Sequence, residues 1–482
     1  MRLCDVKFKK RFCVNYYRNL TLPMGEMSLH KDWINTNNRG DAYPLTESAG
    51  NFSETVKDET YTVDFKSKGS VRRLLFAYFP WYSYDVDFTE LSGEIGFALT
   101  SPSGTAEIVY NKCGLVKITT PTGEYSGECE QKCSGTLSLS FRGRGVSVYF
   151  VDGARHTLVL DTADEFIDSL RKESLLSDSK IQLVARADGG RTVVSGARAY
   201  LHAGISQADL RPAKYEDGTP IIENGRVFVT ATARSIEYKY QVVLSWCPTA
   251  CDFKLEGALF FDMGDGYLCD DVASSLIYDR NASEWRIAMC AFSHGHIIGF
   301  GKPVSDPRFG INIIDIETMK PGATDDDKTK FVAFEGDEDP EMIFHGGKWY
   351  LSICRCESDG YHYYHFTSYD LKSFEFLART DGYEKTGGSY VKAADGVYFA
   401  CGSDFKKRAV YDLYSIDNLS TPIKNLECDF DDGGFRGWGS VIMLPIGSRY
   451  RYVWITFDRH LGSHFNWSYG NIHVFESESF KL

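Results

Sequence analysis

Residues 338–355 read EDPEMIFHGGKWYLSICR, and this stretch decides the fold. An acidic start leads into an apolar run, Gly346 and Gly347 make a turn, and a second run returns through Trp349 and Tyr350. Two short runs of apolar and aromatic residues around a glycine turn predict a β-hairpin. The layout recurs in EDGTPIIENGRVFVTATA from Glu216, DDVASSLIYDRNASEWRIAMCAF from Asp270, GGSYVKAADGVYFACGS from Gly387 and GWGSVIMLPIGSRYRYVWITF from Gly437. Outer runs recur as well, SWCPTACDFKLEGALFF at 245–261 and SYDLKSFEFLART at 368–380. With starts taken at Asp217, Asp271, Asp339, Gly387 and Gly437, the spacing approaches the roughly 40–50 residues that one four-stranded propeller blade needs. A lone blade cannot bury both faces, so the copies are expected to close into a five-bladed ring. A second sandwich built of plain hairpins is the alternative, although hairpins alone do not require the period.

Upstream the pattern changes. Residues 1 to about 50 are polar and irregular and read as a surface arm. From Tyr61 onward, YTVDF, RRLLFAYF, EIGFALTS, AEIVYN, LVKITTP, TLSLSF, VSVYFVDG and HTLVLDT alternate between apolar and polar positions, which is the period of half-buried strands. One helix is expected at about 162–176, started by a Thr162–Glu165 capping box. The expected fold is therefore all-β: an N-terminal β-sandwich of jelly-roll or concanavalin type within 1–212, followed by the five-bladed β-propeller at 213–482.

A chain of 482 residues is too long for one core, which agrees with two domains. The net charge of -13 repels phosphate backbones and anionic lipid, so neither nucleic acid nor a membrane surface is an expected partner. No apolar run is long enough to span a bilayer, and the first twenty residues lack a secretory pattern, so a cytoplasmic location is expected. Aromatics make up 14% of the chain. They suit the stacking faces that sugars prefer, but composition alone favours a plain β-rich core. The 13 cysteines include C-x3-C pairs at Cys129/Cys133 and Cys247/Cys251 and a C-x-C at Cys354/Cys356, none with a histidine at zinc-finger spacing. Reduced thiols, no metal and no organic cofactor are expected. The pairs His294/His296, His362/His365 and His460/His464 read as surface or core histidines.

In a propeller the first residues of each innermost strand converge on one axis. Here three copies open on acids: Asp217; Asp270 and Asp271; Glu338, Asp339 and Glu341. The other two open on glycines with Trp438. Any one of these acids alone reads as a solvated turn residue. Several at equivalent positions read as a pocket, because like charges held together push one carboxyl toward its protonated form. Cleavage of a glycosidic bond uses that split, with one carboxyl as acid and another as base or nucleophile. In the last copy Arg459, Asn466 and Trp467 offer hydrogen bonds and a stacking face to a sugar. For Trp467, packing at the ring closure is an equal reading.

At Glu338–Leu351 the chain resembles the five-bladed glycoside hydrolases of family 43 and, more loosely, family 32. Family 43 opens its acid blade on Glu-Gly-Pro, and here Asp339 stands in place of the Gly. The resemblance implies Glu338 as general acid, Asp217 as general base and Asp271 as the residue tuning the acid, with Asp270 as its substitute. Asp270, Asp339, Glu341, Trp438, Arg459, Asn466 and Trp467 would bind substrate. It further implies an exo-acting, inverting hydrolase of an oligo- or polysaccharide. The Asp-Pro pairs of the family's first two blades are missing here. Phosphorolysis on the same fold and non-catalytic sugar binding are the alternatives. A carbohydrate is the expected partner, and homo-oligomerisation stays open.

Overall fold

The computed structural model describes residues 1–16, 18–29, 43–234, 239–318, 336–382, 384–403, 410–429, 435–458 and 471–482, without the side chains at 403, 410 and 435–438. The chain divides into two units, Leu22–His202 and Met1–Thr21 with Ala203–Leu482. Among the described residues no helix is long and apolar enough to cross a membrane.

Leu22–His202 is an antiparallel β-sandwich organised by two long strands, Thr60–Ala77 and Lys180–His202, which pair along their length. Lys180–Arg186 pairs on its other side with Glu94–Thr100, whereas Val193–Tyr200 pairs with Ser83–Glu90. Between them the register slips at Asp188/Gly190, where Gly189 and Gly190 take φ of +83° and +95°. Glycine adopts that backbone without a Cβ clash, so the bulge bends both strands from one layer into the other. Phe97, Ile108 and Tyr110 from one layer meet Val86, Leu139 and Val148 from the other in a shared core. The expected single helix is two short ones, Glu165–Ser169 and Glu173–Leu176. Thr162 is still in the strand Arg155–Ala163, so the cap is Asp164 instead, whose carboxylate accepts from the Ile167 N–H at 3.1 Å.

The second unit is a propeller of five blades. Going outward from the axis, the first blade holds Ser206–Pro212, Arg226–Arg234, Lys239–Cys247 and Asp252–Asp262. The second holds Val272–Asp279, Glu284–Ala291, Ile297–Gly301 and Gly310–Thr318. Asp337–His345, Lys348–Glu357, Gly360–Ser368 and Glu375–Arg379 make the third. Thr386–Ala393, Gly396–Ser403, Val410–Ser415 and Lys424–Asn425 make the fourth. Phe435–Ile446, Arg449–Asp458 and Ile472–Glu476 begin the fifth, and Lys7–Val14 from the N-terminus completes it. The five innermost strands neighbour one another in cyclic order, the fifth returning to the first, so the ring is closed.

Two expectations change. The arm at the N-terminus is part of the propeller, which leaves the sandwich at 22–202 within the expected 1–212 region. Lys7, Lys9, Lys10 and Arg11 gave the segment a polar look, but Leu3, Val6 and Phe8 are buried with Val391, Leu413, Trp454 and Phe475. The strand also pairs its backbone with Ile472–Glu476, which covers an otherwise open sheet edge. The first blade also begins earlier than expected. Its innermost strand is Ser206–Pro212, and the segment read as the first copy's start, around Asp217, belongs to a long connection leading to Arg226.

Close packing at the axis sets one sharp constraint. A Cβ added at Gly388 would stand 2.3 Å from the Phe399 ring and 2.6 Å from the Tyr363 ring, both buried. Gly388→Ala is expected to cost about 1–3 kcal/mol through overpacking, read by urea unfolding. An unchanged midpoint would mean that these rings yield freely.

Candidate active site

Each innermost strand breaks register with its neighbour near its first residues, between Ala208 and Arg211, Val272 and Ser275, Glu338 and Glu341, Thr386 and Ser389, and Arg436 and Ser440. In the first four bulges one residue takes a left-handed backbone: Asp209 (φ +53°), Ala273 (+59°), Asp339 (+52°) and Gly387 (+61°). Bulges re-aim side chains, and aspartate and glycine tolerate this conformation better than most residues. The repeat therefore places Asp209 and Asp339 at equivalent positions on two blades, with Glu338 beside the second.

The electrostatics agree. Burial pushes the Glu338 carboxyl up to about 8, and the nearby charges of Asp339, Asp209 and Asp337 add to the shift while Lys239 opposes it. Asp339 is also raised, by burial and by Asp209, against the pull of Arg211 and the N–H of Gly387. Asp209, Glu338 and Asp339 thus form one carboxylate cluster at the axis. Thr232 Oγ1 donates to Asp209 Oδ2 at 2.7 Å, and the Gly387 N–H donates to Asp339 Oδ2 at 3.1 Å. Tyr361, raised by burial and by Glu338, remains a neutral phenol next to the acid.

Beneath the cluster lies a buried cationic support. Arg211 donates from Nη1 to the Pro340 carbonyl at 2.6 Å and pairs with Asp339 at 3.5 Å and with Glu341 at 3.6 Å. Glu341 also pairs with Lys214, both 1% exposed. Glu341 is therefore no wall for substrate. It neutralises two buried cations, which would otherwise be costly to desolvate.

On the second blade Asp271 is 1% exposed and accepts from the Ser293 N–H at 2.9 Å and the Ser293 hydroxyl at 2.8 Å. Burial raises its carboxyl, opposed by Ser293 and by the charge of Lys239. Lys239 begins its strand on the same end of the ring, its Nζ 3.4 Å from the centre of the Phe292 ring. Burial lowers its ammonium, and the neighbouring Asp270 and Asp271 hold it up. Asp270, half-buried, thus joins the same group of charges.

Asp217 does not belong to it. Lys214–Tyr215 pairs in parallel with Ile277–Tyr278, at the far end of the second blade's innermost strand. Asp217 then pairs with Arg280 at 3.1 Å, and the Glu216 carbonyl accepts from the Phe344 N–H. Glu338 and Phe344 lie at opposite ends of one strand, about 20 Å apart at the usual rise per residue. The base implied for Asp217 is thus at the wrong end of the propeller, and the acid that stands at the axis on the first blade is Asp209. The long connection at 213–225 hid it, because alignment on the Asn224-Gly225 turn places the copy's start several residues late. Asp217→Asn, remote from the acid, is accordingly expected to change kcat by no more than about twofold, as distant and uncoupled sites do; a large loss would restore Asp217 to the site.

The backbone of Trp438 is in the fifth blade's innermost strand on the same end, and its side chain is not described. Arg459, Asn466 and Trp467 lie outside the described residues. Cys269, Asp271 and His294 bring donor atoms close enough to share a cation, with the Ser293 hydroxyl bridging Asp271 to His294. Glu357, Asp359 and His362 are a second such group, with Glu357 occupied by Arg379 and Tyr364. All thirteen cysteines are free thiols.

No protein-family profile and no curated protein matches the chain. Solved structures of glycoside hydrolases are similar to it. A thermostable family-43 glycoside hydrolase is 14% identical, over 57% of this chain and 90% of that one, with a TM-score of 0.36. A family 62 α-L-arabinofuranosidase catalytic domain of Coprinopsis cinerea is 15% identical, over 56% and 93%, with a TM-score of 0.37. The α-L-arabinofuranosidase of Podospora anserina, in complex with cellotriose, is 12% identical, over 55% and 92%, with a TM-score of 0.36.

Proposed function

We propose that this protein cleaves a glycosidic bond, with Glu338 as general acid and Asp209 as general base. The observation that carries the reading is the carboxylate cluster at the axis, in which two blades present Asp209 and Asp339 on equivalent left-handed bulges and Glu338 is held protonated. A carboxyl retained in its acid form near neutral pH can give its proton to the departing glycosidic oxygen. Asp209, oriented by Thr232, takes a proton from the water that attacks the anomeric carbon. That division of labour is the inverting mechanism, which needs room for a water between the two carboxyl groups. Lys239 acts on Glu338 through its charge and is a positioning residue, while Asp271, tied down by Ser293, helps keep Lys239 charged.

Screening aryl-glycosides and oligosaccharides with the wild type and Glu338→Gln tests the reading. Activity on a glycoside that disappears in the variant supports it, and activity untouched by the variant removes Glu338 from the reaction. The anomer first released, read by NMR, separates inversion from retention. Phosphorolysis is the second reading, since Lys239 brings a cation to the acids. Arg355 is unsuited to hold phosphate, because Asp337 engages it at 2.6 and 3.0 Å. A turnover rate that depends on added phosphate favours phosphorolysis.

Lys239 also gives a pH test. Its charge pulls the Glu338 carboxyl down, so Lys239→Met is expected to move the alkaline limb of kcat/KM to higher pH. A limb that stays in place or moves down would mean that Lys239 does not act on the acid.

A further inference from the structure

The closing blade holds a cluster that the carboxylate site does not use. Cys13 on the N-terminal strand lies directly opposite His473 across the antiparallel pairing, with Sγ 3.9 Å from His473 Nε2. The same Nε2 meets Asp458 Oδ2, at the end of the strand Arg449–Asp458. Asp458 and His473 are 2% and 3% exposed, while Cys13 is open to solvent. Asp458 also accepts from the Asn471 N–H at 3.0 Å and from its side-chain amide at 3.1 Å, which fixes the carboxylate.

We propose that Cys13, Asp458 and His473 bind a divalent cation of the zinc class, which fastens the N-terminal strand to the last blade. Sulfur, imidazole nitrogen and carboxylate oxygen from three adjacent strands all lie within 4.8 Å of one another. That donor set suits zinc, which takes thiolate at about 2.3 Å and nitrogen or oxygen at about 2.0–2.2 Å in a tetrahedron. Such bonds place neighbouring donors roughly 3–4 Å apart, so the ion needs only a small opening of the histidine–aspartate contact. The metal replaces the proton those two groups share, and the Cys13 thiol releases its own proton to solvent. The three side chains supply three of the four positions, and water can take the fourth. At Asp271, by contrast, a serine hydroxyl separates the carboxylate from His294.

Zinc therefore acts where the ring is closed by a strand that is distant in sequence, and its effect is on stability more than on turnover. The full chain, stripped with EDTA and dialysed against zinc chloride, is expected to retain one zinc and to unfold at a temperature several degrees higher. Cobalt in place of zinc is expected to give a sulfur-to-metal charge-transfer band in the near ultraviolet. Cys13→Ser, at an exposed position, is expected to fold, to lose that band and to bind zinc at least tenfold more weakly. His473→Gln is expected to lose the stabilisation as well. A wild type that retains no zinc overturns the proposal, and so does a Cys13→Ser variant that keeps wild-type affinity or the cobalt band.

Discussion

Glu338→Gln is expected to lower kcat at least a thousandfold on glycosides with poor leaving groups. Glutamine keeps the shape and the hydrogen-bonding capacity of the protonated acid but has no proton to give. A thousandfold loss corresponds to about 4 kcal/mol of transition-state stabilisation, within the usual reach of proton transfer by a positioned side chain. The loss shrinks on aryl-glycosides whose phenolate leaves without help, and that gradient separates a lost acid from a damaged fold. In the wild type the alkaline limb of kcat/KM falls near pH 8, where Glu338 loses its proton. Stability gives an independent readout. The folded-state pKa of Glu338 stands above its unfolded value, so its protonated form stabilises the fold fully below about pH 4.5. That contribution is lost as pH rises toward 8. Glutamine does not titrate, so Glu338→Gln gains thermal stability relative to wild type at pH 8 compared with pH 5. A variant equally active on poor and good leaving groups, or one whose relative stability ignores pH, contradicts the assignment.

The contrast between Glu338 and Asp217 shows what the sequence carried. The third blade was legible because its two inner strands are joined by the tight Gly346-Gly347 turn, so the acidic start, the apolar run and the aromatic return fall in one short window. The same pattern gave the ring of blades and the sandwich's alternation. The first blade was misread because its connection after Pro212 makes an excursion through Lys214–Tyr215 and the Ile222–Glu223 hairpin before Arg226. A pattern that scores turns then locks onto the wrong loop. Asp209 sits in Ala208-Asp209-Leu210-Arg211-Pro212, and its signal was the arginine two residues on, which reaches across to Asp339 and Glu341 on the third blade. That pairing is long-range and leaves no local period.

The closing strand was hidden for a related reason. Lys7–Val14 pairs with Ile472–Glu476 at the other end of the chain, and nothing in either segment names its partner. Lys239 and Ser293 were missed because they lie at the start of a third strand and in a turn after a second one, which reach the axis only once the blades are assembled. What local chemistry dictates was readable, namely turns, alternation and the acidic start of the third blade. What depends on ring closure was not.

Asp209→Asn is the sharper test, because it decides which carboxylate on the first blade faces the acid. Asparagine tolerates the left-handed backbone of residue 209 (φ +53°) and can still accept from Thr232, so the bulge is kept while the base is removed. The loss in kcat is expected to be at least a hundredfold, the lower range for a positioned general base, whereas Asp217→Asn leaves turnover nearly intact. Removing the Asp209 charge also relieves the repulsion that raises Glu338, so the residual activity loses its alkaline limb at lower pH than wild type. Asp209→Gly suits the same backbone better still and leaves space beside the anomeric carbon. Azide added to that variant is expected to restore turnover of an activated glycoside and to give a glycosyl azide of inverted configuration. Azide enters from the face that Asp209 leaves, so a retained configuration would mean that another side chain first forms a glycosyl-enzyme intermediate and that Asp209 is not the group facing the anomeric carbon. Full activity of both Asp209 variants, with loss in Asp217→Asn, would return the base to the far end of the propeller and break the link between the carboxylate cluster and catalysis.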